Sequence, residues 1–485
     1  MSQQDNDAAS EAAEPRPDGK CDEQPSVTET VPPALLATVS AEPGGRLVLV
    51  IGAGASIEAP TCLESGAAYA EQAHQGLMDD RVLAAGDCAD PRDLSLVADA
   101  VHAKTGSQVA LTNHLPRLAW RLATPNDGHR AAAALLIEGA LRAVITLNYD
   151  LAMQSALSEL GGSPGVTVCR GPEDYAEVSG RTLFYLHRSA ESPPEDWVLR
   201  SSDLESAWRN AWEELVTSGN LSAPMTLFAG LGSPAAVLTE TVARLAEIGH
   251  SRYFYADPYP ENQFVLAISK SLEAVIELGW CALMLELSTR VAAAQRQRLL
   301  AVGVRRCAEL SLSDSTIRVG MGALSDLDLV ALGRLRGVWL VDRRPYVPDA
   351  DDHVRVRLAD LVGAIGAIAD VLGGNPAVAA DYSVRIGSAA NAVAFHCAHG
   401  GGVHSWAAVQ ENLRRRLRHT PGHANRSVLV GGITDLQDVL APDLVRATDA
   451  DDLIRGAETF VRLEVSEAHT LAASDPRQLT QRLAG

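Results

Sequence analysis

The stretch from Arg46 to Ser56, RLVLVIGAGAS, decides the fold. Five apolar residues, largely β-branched, run into a glycine turn. The segment GAAYAEQAHQGLMDD (66–80) then has helical character. This is strand, glycine turn, helix. The scheme recurs in AAAALLIEGALRAVITLNYDLAMQSALSEL (131–160), where the strand RAVITL meets the polar turn Asn148-Tyr149-Asp150. It recurs in GRTLFYLHRS (180–189), a strand closed by His187, and in PMTLFAGLGSPAAVLTETVARLAEI (224–248). The strand SRYFYADPYPEN (251–262) ends at Asp257, Pro258 and Pro260. Strands alternating with helices, with turn motifs at their carboxyl ends, predict an α/β, Rossmann-like, doubly wound parallel sheet. Ligands of such sheets bind at those ends.

Outward from this region the pattern changes. Residues 1–44 are rich in Pro, Glu, Ser, Ala and Asp and read as a disordered leader. FVLAISKSLEAVIELGWCALMLEL (264–287) reads as one long apolar helix. Beyond it, RGVWLVD (336–342) and RSVLVGGI (426–433) read as buried strands, and LVGAIGAIADVLGG (361–374) and VHSWAAVQENLRRRLRHT (403–420) as helices. The expected organisation is a nucleotide-binding domain over 45–290 and a second, C-terminal α/β domain over 300–485. A chain of 485 residues, at roughly 150 per domain, is long enough for both.

Composition excludes several classes. Lys plus Arg against Asp plus Glu gives 41 − 61 = −20, which disfavours direct nucleic-acid or anionic-membrane binding. No apolar run approaches the roughly 18 residues of a membrane span. The start MSQQDNDAASEAAEPRPDGK lacks the basic and apolar parts of a secretory signal. The seven cysteines are scattered and form no CxxC pair, which predicts a reducing, cytoplasmic setting.

Four turns can carry chemistry. Gly52, Ala53, Gly54 and Ser56 let a pyrophosphate approach the backbone. Ile57 stands where the dinucleotide fingerprint needs a third glycine, so a tight turn without ligand is the competing explanation. Asn148 can bond a water or a ribose hydroxyl, and Asp150 can orient a cationic ring or cap the next helix. His187, with an ordinary pKa near 6.5, can act as a base. Gly230, Gly232 and Ser233 can receive a ribose or a second phosphate, or open the following helix. Outside this region His396, Cys397, His399 and His404 could ligate zinc, but at no common spacing. No metal is expected. The basic run Arg414-Arg415-Arg416-Leu417-Arg418 reads as a solvated helix end.

GAGAS, TLNYD, YLH and GLGS in this order resemble the SIR2 (sirtuin-like) NAD-binding fold over about residues 45–290, and Tyr255-Ala256-Asp257 resembles that fold's last strand. The resemblance implies that Gly52, Ala53, Gly54, Ser56, Gly230, Gly232, Ser233 and Asp257 bind NAD. It implies catalytic roles for Asn148, Asp150 and His187. Protein-deacylating sirtuins carry a zinc ribbon of two cysteine pairs between the His and the Gly-Ser turn, and no Cys lies between His187 and Gly230. They also carry Pro-Asp-Phe-Arg where this chain has Ala59-Pro60-Thr61-Cys62-Leu63, and the residue after the His, usually Gly, is Arg188. The chain therefore looks like the zinc-free SIR2-like domains of bacterial anti-phage proteins, which hydrolyse NAD to nicotinamide and ADP-ribose. That implies control by the C-terminal domain, a homo-oligomer and a defence-system partner protein. The alternatives are an NAD-dependent deacylase or ADP-ribosyltransferase, and a non-catalytic NAD or ADP-ribose sensor or scaffold.

Overall fold

A computed structural model describes residues 25–42, 44–161, 166–178, 180–203, 212–232, 236–249, 251–340, 353–387, 392–398, 426–431 and 460–484. Its first sheet has eight strands: β1 (Ser26–Thr28), β2 (Leu47–Ile51), β3 (Leu141–Thr146), β4 (Val166–Cys169), β5 (Arg181–Tyr185), β6 (Met225–Ala229), β7 (Arg252–Ala256) and β8 (Leu272–Ile276). Their order is β1-β8-β7-β6-β2-β3-β5-β4, and every pairing is parallel. All five residues of β2 and of β6 are buried, as expected where helices cover both faces.

The strand order places the site. From β2 the chain builds outward to β3, and later from the other side of β2 through β6, β7 and β8. The direction reverses between β2 and β6, so the turns that leave these two strands stand side by side at the switch point.

Three expectations need correction. Part of the anticipated leader is folded: β1 pairs with β8, and Val31, Leu35 and Val39 of the segment around helix Pro33–Val39 are buried in the core. Glu42 then pairs with Arg298 at 3.1 Å and with Arg355. Composition hid this because the apolar residues are few and spaced among prolines and acids. Residues 1–24 lie outside the described residues. Second, residues 264–287 are not one helix. They form the helix Gln263–Ile268, strand β8 and the start of the helix Trp280–Glu309. LEAVI needs the sheet edge at β7 to show itself as a strand. Third, RGVWLVD is not a strand. Residues 336–340 end the helix Leu329–Leu340, whose buried Leu329, Leu332, Leu335 and Trp339 repeat at helical spacing.

The C-terminal region has its own α/β layer. Strands β9 (Ala377–Val378), β10 (Val384–Ile386), β11 (Val393–Ala398), β12 (Arg426–Gly431) and β13 (Phe460–Glu464) form a second sheet in the order β13-β12-β11-β10-β9. β11, β12 and β13 are parallel, and β9, β10 and β11 antiparallel. The helices Leu329–Leu340, His353–Leu372 and Val465–Ser474 pack against it, and Asp314–Gly322 packs on His353–Leu372. The 30-residue helix Trp280–Glu309 runs through the expected domain boundary. Its buried apolar residues belong to one continuous core that reaches from Val31 to Leu483. At that junction Arg336 donates to Glu138, and Gln295 donates to the same carboxylate at 3.0 Å, all three buried.

Candidate active site

The turn after β2 is a short 3-10 segment, Ala53–Ser56. Backbone bonds fix it: Gly52 N–H to Ala229 O (3.0 Å), Gly54 N–H to Gly230 O (3.0 Å) and Ala55 N–H to Gly52 O (3.1 Å). The glycines are there because two backbones touch. A Cβ on Gly52 would stand 2.6 Å from Gly230 O, and one on Gly54 would stand 2.6 Å from Gly230 Cα. Gly230 itself has φ +64°, a conformation that side chains disfavour. GAGAS and GLG therefore form one double turn at the switch point. Gly232 is exposed at its rim, and Ser233 lies outside the described residues.

The turn after β3 closes on it. Asn148 Nδ2 donates to Gly52 O at 3.0 Å and approaches Ser56 Oγ at 3.4 Å. Ser56 Oγ donates to Asp150 Oδ2 at 2.9 Å. Asp150 Oδ1 accepts the N–H of Ala152, the first residue of the helix Ala152–Glu159, at 3.0 Å, while Oδ2 holds Ser56. Ser56, Asn148 and Asp150 are all buried. Burial raises the Asp150 carboxyl above the ordinary range, while its hydrogen bonds pull the other way.

His187 lies two residues beyond β5, so it does not close the strand itself. It hydrogen-bonds the Leu147 backbone, and burial pushes its pKa down to about 4. The ring stands 6.4 Å from that of Tyr149, between centroids. Leu186 N–H bonds Thr146 O and Ala190 N–H bonds Tyr149 O, which stitches the β3 and β5 turns together. Arg188 has φ +77°, in the left-handed region. A full side chain thus occupies a position whose backbone favours glycine.

Asp257 follows β7 and stands on the far side of the double turn. Its Oδ1 accepts the Tyr259 N–H at 2.8 Å, and burial raises its pKa. Tyr255 OH donates to Leu231 O at 2.6 Å and accepts from Asn262 Nδ2 at 2.7 Å, which fixes the Gly230–Gly232 turn to β7. Gly52, Ser56, Asn148 and Asp150 are thus brought together by side-chain hydrogen bonds, Gly54 and Gly230 by a backbone hydrogen bond and close packing, and His187 through Tyr149 and Leu147. Asp257 shares no hydrogen bond with the Asn148 group.

The sequence reading missed an aromatic wall. Tyr149 stacks on Trp120 (5.5 Å, 16°) and on Trp197 (4.9 Å, 26°), and its hydroxyl donates to Val198 O at 2.9 Å. It also missed Asn126, fully buried beneath the first turn, whose Nδ2 donates to Ala55 O at 2.9 Å. Its signal was the sequence Pro125-Asn126 ahead of a helix, which alone reads as an N-cap. Of the proposed zinc cluster, His396 and Cys397 lie buried on β11, and His399 and His404 fall outside the described residues. So does the basic run 414–418. Among the described residues no group of three or more His, Cys, Asp or Glu could hold a metal ion, and no helix is long and apolar enough to cross a membrane.

No protein-family model matches the chain, and no curated protein matches it. Among solved structures it is similar to a Sir2 homologue in complex with NAD, at 16% identity over 56% of this chain and 98% of that one, with a TM-score of 0.34. It is similar to a mutant Sir2 homologue in complex with ADP-ribose, at 18% identity over 54% and 98%, TM-score 0.30. A sirtuin structure concerned with substrate affinity is similar at 15% identity over 49% and 89%, TM-score 0.28.

Proposed function

We propose that the chain is an NAD hydrolase that releases nicotinamide and ADP-ribose, acting by NAD depletion in bacterial anti-phage defence. One observation carries the reading. The glycine turn after β2 and the Asn148–Asp150 turn after β3 are joined by the Ser56 hydroxyl, at the reversal point of a parallel sheet. That places the glycine turn beside a polar amide and a buried carboxylate. The ordered motifs GAGAS, TLNYD, YLH and GLGS support the same assignment.

Cleavage breaks the bond between the nicotinamide nitrogen and ribose C1′. The cationic ring leaves as neutral nicotinamide, and positive charge passes to the ribose in an oxocarbenium-like transition state. Asp150 is a buried acceptor on the side where that charge develops. Asn148 holds the ribose or the attacking water. His187 is neutral at pH 7 because burial depresses its pKa, and it accepts a proton from the water or a ribose hydroxyl. Water plus NAD gives nicotinamide, ADP-ribose and one proton. Gly52, Ala53, Gly54, Gly230, Gly232 and Ser233 hold the dinucleotide, with Asp257 at its adenosine end. Unchecked NAD loss would kill the producing cell, so we assign control to the C-terminal region, to self-association and to a partner protein.

A second reading is a non-catalytic NAD or ADP-ribose sensor. It is favoured by the engagement of Asn148 Nδ2 with Gly52 O and Ser56 Oγ, both within the protein. Purified chain incubated with NAD, with and without an acylated peptide, separates the readings. Hydrolysis expects nicotinamide release that needs no peptide and is lost in Asn148→Ala and His187→Ala. Peptide-dependent release would indicate a deacylase, and tight ADP-ribose binding without release would indicate the sensor.

A further inference from the structure

We infer that Asn126 is a positioning residue for the turn Gly52–Ser56, and that Trp280 sets its side chain from the head of the long helix. The positioning claim is independent of the ligand, whereas its effect on ADP-ribose rests on the NAD reading. Asn126 is 0% exposed and its amide is used from both ends. Nδ2 donates to Ala55 O at 2.9 Å and lies 3.4 Å from Glu58 O. Oδ1 accepts the His129 N–H at 3.0 Å and the Trp280 Nε1–H at 3.1 Å. One side chain thus ties the carbonyl face of the first turn to two helices. The Nδ2 bond is what an N-cap does not need, since the cap is complete through Oδ1 and through His129 Nδ1, which accepts the Asn126 N–H.

Trp280 is held in place by its own surroundings. Its indole packs on Gly128, where a Cβ would collide with the ring, and edge-on to His129 at 5.6 Å. Both carboxylate oxygens of Glu58, just past the turn, accept the Cys281 N–H at 3.3 Å, so the first turn of the long helix is anchored twice. Toward its other end, the same helix is fixed to the C-terminal region: Arg306 pairs with Asp360 at 3.0 Å, and Gly303 admits Ile317. A helix is a stiff rod on this scale, of about 1.5 Å per residue. Contacts thus run without a break from Asp360 and Ile317 along this helix to Trp280, Asn126 and the carbonyl of Ala55.

The test uses the full chain with Trp280→Phe, which keeps the aromatic bulk and removes one N–H, and Asn126→Ala. Hydrogen exchange is read on apo protein at amides 52–58, followed by titration with ADP-ribose. In Trp280→Phe the exchange of 52–58 should quicken about threefold to tenfold, while the amides of β3 and β7 keep their protection. ADP-ribose affinity should weaken by a similar factor, and KM for NAD should rise while kcat stays within about twofold. Asn126→Ala should act in the same places and more strongly. If it does not fold, Trp280→Phe alone decides. Unchanged exchange at 52–58 in Trp280→Phe, or loss of protection spread evenly over the strands, overturns the inference. If the wild-type chain does not bind ADP-ribose, the NAD reading fails, and the exchange comparison still judges the positioning claim.

Discussion

The turns after β2 and β5 solve the same problem in opposite ways. Both bring backbone to the carboxyl edge of the sheet beside residues proposed for chemistry. The β2 turn uses glycine wherever backbones meet, at Gly52 and Gly54 against Gly230, and its amides are paired within the double turn. The β5 turn places Arg188, with a full side chain, at φ +77° directly after His187. A left-handed non-glycine residue costs about 1–2 kcal/mol. The first turn is thus intolerant of any added atom, and the second already carries a conformation that glycine would adopt more easily. Contact between backbones fixes the one. The packing of His187, Tyr149 and Trp197 around the other holds its strain in place.

Breaking the chemical side of the comparison should give the largest effect. Removing a base costs about 10²–10⁴ in rate, so His187→Ala should lower NAD turnover by that factor, far beyond what the fall in melting temperature from losing its contacts with Tyr149 and Leu147 accounts for. Steady-state nicotinamide release and a thermal melt on the same sample decide this. The steric side comes next. Gly54→Ala forces a methyl against Gly230 Cα and should destabilise the chain by about 1–3 kcal/mol. Gly230→Ala should add the left-handed penalty to a similar clash. Urea midpoints of both variants, at unchanged slope, measure the loss.

Acid sharpens the contrast, because only the β5 turn carries an imidazole. Burial holds His187 at about 4, against about 6.5 in an unfolded chain. The unfolded chain binds more protons between those values. The stability from neutral His187 is therefore complete above pH 6.5 and is lost as pH falls toward 4. His129, held at about 3 by burial, acts in the same direction. Asp150 acts the other way, since its raised pKa makes protonation favour the folded state as pH falls. Urea unfolding at pH 7.5 and pH 5 should show a loss, and a smaller loss in His187→Ala. The smallest effect belongs to Arg188→Gly. It relieves the strain but frees the unfolded chain, so stability should stay within about 1 kcal/mol of wild type. A loss well beyond that would mean that the Arg188 side chain, and not the backbone, holds this turn.

Much of this was legible in the sequence because it is local. The strand–glycine turn–helix units, and the edge that gathers Gly52, Asn148, Asp150 and Gly230, follow from period and turn chemistry. What was illegible is set by distant partners. Strand β8 needs β7 and β1 on either side of it before Leu272–Ile276 reads as anything but helix. Residues 336–340 show a compact apolar run, and only their continuation of Leu329, Leu332 and Leu335 along one face reveals a helix. Asn126 announces itself as a cap, and its bond to Ala55 O crosses 71 residues of chain. Trp120, in the short helix Arg117–Arg121, and Trp197, just after the turn Pro194–Asp196, meet Tyr149 with no spacing in common. In the expected leader, Val31, Leu35 and Val39 do follow a helical spacing, in a segment whose composition outweighs it.

The most direct test of the central claim, that the two glycine turns form one dinucleotide site, is calorimetric titration of ADP-ribose into the full chain and into Gly54→Ala, with folding of both verified by circular dichroism. Saturable binding to wild type is expected, and none to folded Gly54→Ala at the same concentrations. Equal binding to both, or no binding to the folded wild type, would contradict it.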